Sequence, residues 1–541
     1  MAELTRMPCD EGVIRAGEPG DLACAGSGLW VLAATILGST MVFVNSSTVN
    51  VALPALQADL GATVVDMQWI VNAYTLFLAA LILLGGALGD RYGRRRIFVW
   101  GVTIFALASL ASGLAPNASF LIVARAAQGV GGALLTPGSL AIISASFTDV
   151  ERGRAIGLWA GFSALTSALG PMLGGWFIDT FSWRWIFYMH APLAVVVIAI
   201  SLWRVPESRD PHAPQKLDWP GALLATAGLG AATYGLVASS ERGFGDWLVW
   251  ATLLGGIVML GLFVVVEARR EQPMVPLHLF RSRTFSGANL LTLFLYTALG
   301  GAFFFLPLNL IQVQGYSATA AGAALMPMIL LLSFLSTWAG GVAERYGARL
   351  PLVVGPLVAG AGFFMLSLPG QGGSYWTTFF PGLVVLGLGL AISVAPLTTA
   401  VMGAVADQYA GTASGINNAV ARVANLLAIA ALGVVMLQAF SSDLAAQLGG
   451  MGLAAEAQEA IMAQRTDLAN ISVPQQMDVA QQAQVQEAID AAFIAGFRVI
   501  AYITAGLALA SAAVALVTIE GGPLQAEVGE ERVDEAPGLV G

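Results

Sequence analysis

Residues 85–96 read GGALGDRYGRRR: one long apolar run ends, a carboxylate and four arginines follow, and the next apolar run begins. A weaker copy, GGVAERYGAR, occupies 340–349. Gly86, Asp90, Arg91, Tyr92, Gly93 and Arg95 of the first correspond, at one constant offset, to Gly340, Glu344, Arg345, Tyr346, Gly347 and Arg349 of the second. A charged, glycine-bearing stretch between two apolar runs belongs at a tight cytoplasmic turn between membrane helices, where glycine lets the helix ends approach and arginine stays inside. Two copies imply two homologous halves.

Composition agrees. The chain has 541 residues, of which 57% are hydrophobic and 11% charged, and a mean hydropathy of +0.76. A water-soluble core wrapped in polar surface is excluded; this is a polytopic membrane protein. Both cysteines, Cys9 and Cys24, fall in the polar N-terminal tail, so no disulfide framework or metal cluster is written into the body. With three histidines and no carboxylate pair within a span, no catalytic constellation can be assembled, and neither an enzyme nor a cofactor is expected. Nothing points to nucleic acid. Glu3, Asp10, Glu11, Glu18 and Asp21 make the tail unlike the basic start of a cleaved signal peptide, so the first span is expected to be retained.

A spanning helix needs about 20 mainly apolar residues. Fourteen stretches qualify. Six lie near 29–50, 67–89, 97–115, 119–143, 155–178 and 185–203, two near 220–239 and 248–267, and six near 285–311, 320–341, 350–368, 377–402, 413–438 and 494–518. The repeat pairs the second with the tenth, leaving the seventh and eighth as an inserted pair. The expected organisation is a cytoplasmic tail at 1–28, a six-helix bundle at 29–204, a linker with the inserted pair at 205–284, a second six-helix bundle at 285–519 and a cytoplasmic tail at 520–541. Most of the 24 Lys and Arg then fall in loops on one side, against Arg184, Arg242 and Arg465 on the other. That asymmetry predicts both termini in the cytoplasm. The stretch 440–493, Gln- and Ala-rich with an acidic surplus, is expected outside as a solvated loop bearing short helices, or as a docking surface for a periplasmic adaptor.

Charges inside spans are costly and usually functional. Arg125, in LIVARAAQGVGG, shares a helix face with Gln128, Gly129 and Gly132. It is either a functional buried cation beside a small-residue groove or a structural arginine bonded to carbonyls. In the first span Asn45 and Thr48 share one face and Ser46 and Asn50 nearly another, lining a cavity or bonding neighbouring helices. Gly161, Ala164, Ala168, Gly170, Gly174 and Gly175 make the fifth span a close-packing helix, and Pro171 adds a kink suited to a pivot. Asn418, Arg422 and Asn425 share a face of the thirteenth span; Arg498 is placed to snorkel, and His190 titrates near neutrality unless its surroundings intervene. None of the spans carries an Asp or Glu in its core. Asp66, Asp90, Asp149, Asp179, Glu241, Asp246, Glu267 and Asp490 sit at span ends or in loops. A path holding arginines and no carboxylates favours anionic, zwitterionic or neutral amphipaths over multiply charged cations.

GGALGDRYGRRR resembles the signature loop of the major facilitator superfamily. RAAQGVGGA is similar to its fourth-helix arginine motif, and Gly161 to Gly175, with the core Gly170-Pro171-x-x-Gly174-Gly175, to the antiporter motif of drug exporters. NSSTVNVALP, WIVNAYTL, SWRWIFYMHAP and AGTASGINNAVARV look like further marks of the fourteen-span drug:proton antiporters of the EmrB/QacA type. The ordered set runs from about residue 30 to 520. The resemblance implies two six-helix bundles with alternating access, proton-driven export of hydrophobic or amphipathic compounds from a bacterial inner membrane, and no ATP site. Gly86, Asp90, Arg91, Gly93 and Arg94 would form the conformational switch, latching the halves when outward-facing. Arg125 would take part in proton transfer, and Gly170, Pro171, Gly174 and Gly175 would form the hinge and seal. The expected cavity is lined by Asn45, Asn50, Tyr74, Arg125, Gln128, Asn418 and Arg422. One position departs from the family: Asn45 stands where an aspartate is usual. Arginine does not titrate usefully, so proton coupling would need Asp66, His190 or a protonatable substrate. A dedicated exporter of one metabolite or lipid, or a non-transporting sensor of the same fold, are the alternatives.

Overall fold

The computed structural model describes residues 28–147, 149–210, 217–406, 409–474 and 477–520. Both tails, with Cys9 and Cys24, Lys216, and the side chains of Ala164, Glu344 and Tyr346 lie outside the described residues. Those described form helices and connections, with no strand among them. In a bilayer each helix must satisfy its own backbone, which is why so apolar a chain folds this way.

The first six helices are α1 (Gly28–Leu60), α2 (Val64–Tyr92), α3 (Arg94–Gly113), α4 (Ala118–Ser146), α5 (Asp149–Thr180) and α6 (Trp185–Arg204). The inserted pair follows as α7 (Trp219–Arg242) and α8 (Trp247–Arg269). Then come α9 (Arg283–Val313), α10 (Ala318–Ala324, resuming as Met326–Tyr346), α11 (Arg349–Met365), α12 (Phe379–Gly403), α13 (Ala410–Gly450) and α14 (Val479–Thr518). Among the described residues thirteen helices are long and apolar enough to cross a membrane. The expected eleventh span, α11, is an apolar helix of 17 residues.

Polar residues at helix starts fix the boundaries. Thr63 and Asp66 form a reciprocal capping box on α2, while Asn117, Ser282 and Asp478 cap α4, α9 and α14. Asp66 is thereby committed to its own helix.

Within the first group α4 packs on α2 and α3, and α1 on α5 and α6; within the last, α9 packs on α13 and α14, α12 on α10 and α11, and α11 on α14. The inserted helices pack on each other, and α7 also touches α2 and α13, one from each group. Two six-helix bundles with an inserted pair are the result. The repeat is visible in atomic detail. Arg95 Nη1 donates to the Val205 carbonyl just beyond α6 at 3.0 Å, and Arg349 Nη2 donates to the Leu516 carbonyl near the end of α14 at 2.7 Å. In each bundle the turn arginine ties the second and third helices to the end of the sixth.

The stretch 440–493 departs from its expected character. Helices α13 and α14 contain 41 and 40 residues, about 60 Å each at 1.5 Å per residue and twice the ~30 Å of a hydrocarbon core. Leu444, Leu448, Ile461, Leu468, Ile489 and Phe493 are buried in an apolar core continuous with the last bundle. Periodic leucine and isoleucine among the glutamines extend the helices, so a packed projection replaces the solvated loop.

Both turns lie at one end of the bundle, here the turn end; the other is the far end. Gly93 (φ +116°) and Gly347 (φ +86°) close α2 and α10. Glu207, in the segment after α6, accepts from Arg95 N at 3.0 Å and Arg96 N at 3.2 Å, capping α3 from a distance in sequence. A Cβ on Gly93 would lie 2.7 Å from Glu207 Oε1. Gly61 (φ +58°) has nothing within 4 Å of the same added atom. Gly93→Ala should therefore cost about 1–3 kcal/mol in strain and lost capping, clearly more than Gly61→Ala. Thermal unfolding of the detergent-solubilised protein checks the ranking; equal midpoints would refute it.

Candidate functional site

Arg125 is 1% exposed, and its partners come from across the first bundle. Nε donates to the Ile70 carbonyl of α2 at 3.1 Å, and Nη1 donates to Asn45 Oδ1 at 3.0 Å and Gln128 Oε1 at 2.5 Å. The guanidinium carbon lies 4.4 Å from the Tyr74 ring centre and 5.9 Å from that of Phe187. Gln128 Nε2 donates to Asn45 Oδ1 and to Ser109 Oγ, each at 3.2 Å. Ser109 donates to the Phe187 carbonyl at 3.0 Å and stands 3.2 Å from His190 Nδ1. Helices α1, α2, α3, α4 and α6 thus meet at one cation.

The charge balance is unusual. Every hydrogen-bond acceptor described around Arg125 is a neutral amide or carbonyl, and Asn45 presents an amide oxygen where the resemblance expects a carboxylate. Asn45 Nδ2 and His190 Nε2 are buried without a hydrogen-bond partner. His190, 1% exposed, joins the network that contains Arg125; sequence reading had left the two unconnected. Ser109, the link between them, carries no sequence signal beyond being a polar residue in an apolar span.

Of the expected cavity residues, Asn45, Tyr74, Arg125 and Gln128 are brought together, but packed within one bundle. Asn50 is half-buried with Oδ1 unpartnered. On α13, Asn418 is exposed, whereas Arg422 is half-buried near Tyr74 and Tyr296 with Nε unpartnered. Tyr74 therefore stands between two arginines, one from each bundle. Arg498 is exposed, and its Nε donates to the Ser367 carbonyl at 3.1 Å.

Gly175 of α5 lies at the seam between bundles, whereas Gly161, expected to pack closely, is exposed and an added Cβ there would meet nothing within 4 Å. Gly170, Pro171, Gly174 and Gly175 are all buried. Thr48 Oγ1 of α1 donates to the Gly170 carbonyl at 3.1 Å, and a Cβ on Gly174 would run into Thr48. Across the seam, a Cβ on Gly175 would collide with the Ala318 carbonyl of α10, and one on Gly322 with the Pro171 carbonyl. Backbone meets backbone here, which only small residues permit. At the far end Asp179 accepts from Ala318 N at 3.1 Å, Thr319 N at 2.8 Å and Thr319 Oγ1 at 2.5 Å, capping α10 from the other bundle. Gln312 Nε2 donates to Gln57 Oε1 at 2.8 Å, a second bond between bundles. A cavity of about 350 Å³ lies beside these ties, lined by Val51, Pro54, Asp179, Gln312 and Tyr316.

Leu158, Phe162 and Leu165 of α5 are exposed, as are Phe334 and Trp338 of α10. Of the residues expected to form the switch, Asp90 and Arg94 make contacts in their own bundle: Arg94 Nε pairs with Asp90 Oδ1 at 2.8 Å, Arg94 N donates to the Ser208 carbonyl, and Asp210 N to the Asp90 carbonyl. Gly86 lies against Pro137 of α4, and Arg91 over the Tyr92 ring. The recorded contacts of Asp90 and Arg94 thus run to 205–210. Glu207 and the 205–210 segment were missed because they read as linker.

Known proteins agree with this architecture. The model of the Major Facilitator Superfamily matches residues 35–429. The chain is 34% identical over 417 residues to the multidrug resistance protein Stp of Mycobacterium tuberculosis (strain CDC 1551 / Oshkosh), covering 77% of each. It is 35% identical over 420 residues to the puromycin resistance protein of Streptomyces alboniger, covering 77% of this chain and 83% of that one. With the tetracenomycin C resistance and export protein of Streptomyces glaucescens it shares 32% over 406 residues, 75% of each. Among solved structures, a bacterial homolog of the human lysosomal transporter Spinster, inward-facing and unoccupied, superposes with a TM-score of 0.63 over 92% of this chain and 99% of that one, at 18% identity. A D-xylose–proton symporter gives 0.56 over 91% and 97%, at 13% identity. The solved structures share the fold, the curated relatives share the sequence over most of its length, and this chain belongs to the major facilitator superfamily, among its multidrug-resistance and antibiotic-export members.

Proposed function

We propose that the protein exports hydrophobic or amphipathic compounds across a bacterial plasma membrane by alternating access, driven by exchange for protons. The observation that carries this is the tie between bundles at the far end, where Asp179 holds the start of α10 and Gln312 bonds Gln57. With the arginine-rich turn end in the cytoplasm, the chain rests in a state that admits substrate from inside. The domains are those of the sequence reading, each bundle a rigid body and the seam at Gly170, Pro171, Gly174 and Gly175 the pivot. Arg125 organises the first bundle, and its surplus of positive charge favours neutral or anionic amphipaths. Two relatives are named for single compounds, so a dedicated exporter of one compound is the second reading; a broad compound panel separates them.

Inverted membrane vesicles carrying a preformed pH gradient test the drive. Adding neutral or anionic amphipaths should release protons, an effect lost in Arg125→Ala and small for quaternary ammonium dyes. Labelled compound that accumulates with no proton release would rule out proton exchange. The clamp makes a separate prediction. Asp179→Ala removes three hydrogen bonds at the start of α10 while leaving Ser317 as its cap, about 0.5–2 kcal/mol, and should populate a far-end-open state several-fold more. Distances between spin labels at the far ends of α5 and α10 read that shift, and an unchanged distribution would exclude the clamp.

A further inference from the structure

The inserted pair holds two buried acids at its turn end that the sequence reading had placed at solvated span ends or left unremarked. Asp218 caps α7, its Oδ1 accepting from Gly221 N at 2.9 Å and pairing with Arg270 Nε at 3.1 Å. Glu267, near the end of α8, accepts from Val275 N through Oε2 at 3.0 Å. They are 3% and 2% exposed. Their remaining oxygens, Asp218 Oδ2 and Glu267 Oε1, are buried and receive no hydrogen bond from another donor. Those two oxygens converge: a Cβ on Gly221 would lie 2.5 Å from the one and 2.6 Å from the other. A side chain at 221 would part them.

The surroundings offer little compensation. The neighbouring α2 contributes Leu81, Leu84 and Leu88, packed with Leu217, Ala222 and Met274. Among the described residues the recorded ion pair is that of Arg270 with Asp218. Two ionised carboxylates touching in an apolar setting against one guanidinium leave an uncompensated negative charge and two acceptors face to face. One proton converts that clash into an O–H···O hydrogen bond.

We propose that Asp218 and Glu267 form a proton-binding site, with Glu267 Oε1 carrying the proton and donating it to Asp218 Oδ2. The assignment between the two follows from their partners. Asp218 Oδ1 is already engaged by Gly221 N and Arg270 Nε, whereas no ion pair is recorded for Glu267 among the described residues. The site supplies a titratable carboxyl in a chain whose first helix offers Asn45. It also sits at the foot of α7, whose Leu229 packs with Leu76 of α2 and Leu426 of α13. Release of the proton sets two like charges together beneath the helix that touches both bundles, which links protonation to their relative position. That link rests on the proton-driven reading above; the protonation itself does not.

Infrared spectra of the full-length protein in liposomes, recorded through a pH titration, test the site without requiring transport. A carboxylic-acid carbonyl band should be present at neutral pH, disappear on alkalinisation, vanish in Glu267→Gln and titrate at lower pH in Asp218→Asn, which removes the neighbouring acid. Glu267→Gln mimics the protonated group and should keep its thermal midpoint at neutral pH, so loss of the band cannot be laid to unfolding. Absence of the band in the unaltered protein, or its survival unchanged in Glu267→Gln, would overturn the site. The link is read in proteoliposomes with an entrapped pH dye and puromycin as probe. Puromycin movement that continues in Glu267→Gln with fewer protons per molecule supports it, and an unchanged ratio overturns it. A band that titrates in protein whose puromycin movement carries no protons would refute proton exchange while leaving the site standing.

Discussion

A guanidinium with nowhere to be solvated sets the geometry of the first bundle. Moving a charge from water into an apolar interior costs several kcal/mol even after relaxation, and Arg125 is 1% exposed. The cost is offset by the Ile70 carbonyl, the Asn45 and Gln128 amides and the face of Tyr74. Because these partners belong to α1, α2 and α4, and Ser109 and His190 extend the network to α3 and α6, a shift of one helix strands hydrogen bonds on several others. The registers of these helices are therefore coupled.

Between the bundles the constraint is different. Lipid is as apolar as the side chains it would displace, so no hydrophobic force presses helices together inside the membrane. Close backbone approach does that work at the crossing of α5 and α10, through Gly175 against Ala318 and Gly322 against Pro171. Asp179 then adds charge-assisted hydrogen bonds at one end only. A contact built from small residues plus a cap at one end can open there while closing at the other.

The inserted pair is more than a spacer between repeats. Its first helix touches α2 and α13, and its foot encloses Asp218 and Glu267. Their burial explains why an acid at a nominal span end keeps a role: Glu267 falls at the last residue of its apolar run, yet the loop from Arg270 to Val275 folds back over it. Glu207 is the same lesson in a polar segment. Its partners, Arg95 N and Arg96 N, lie over a hundred residues earlier, and nothing in the local pattern announces them.

What was legible in the chain was what depends on local periodicity. The apolar runs, the repeated GDRYG and ERYGA turns, the arginine asymmetry and the small-residue face of α5 all follow from hydropathy and spacing, because the bilayer leaves helices as the only way to satisfy the backbone. The membership of Arg125, Gln128 and Asn45 in one site was legible too, since polar residues in a span must find partners. Only the tertiary structure decided which partners. It placed His190 in the network through Ser109, buried that network within one bundle, turned 440–493 into a packed helical projection, tied Asp179 to the start of α10 and brought two distant carboxyls together. Each of these depends on atoms brought together across long separations in sequence, and the energy of a hydrogen bond or a buried charge is set by that distance in space, which no local pattern encodes.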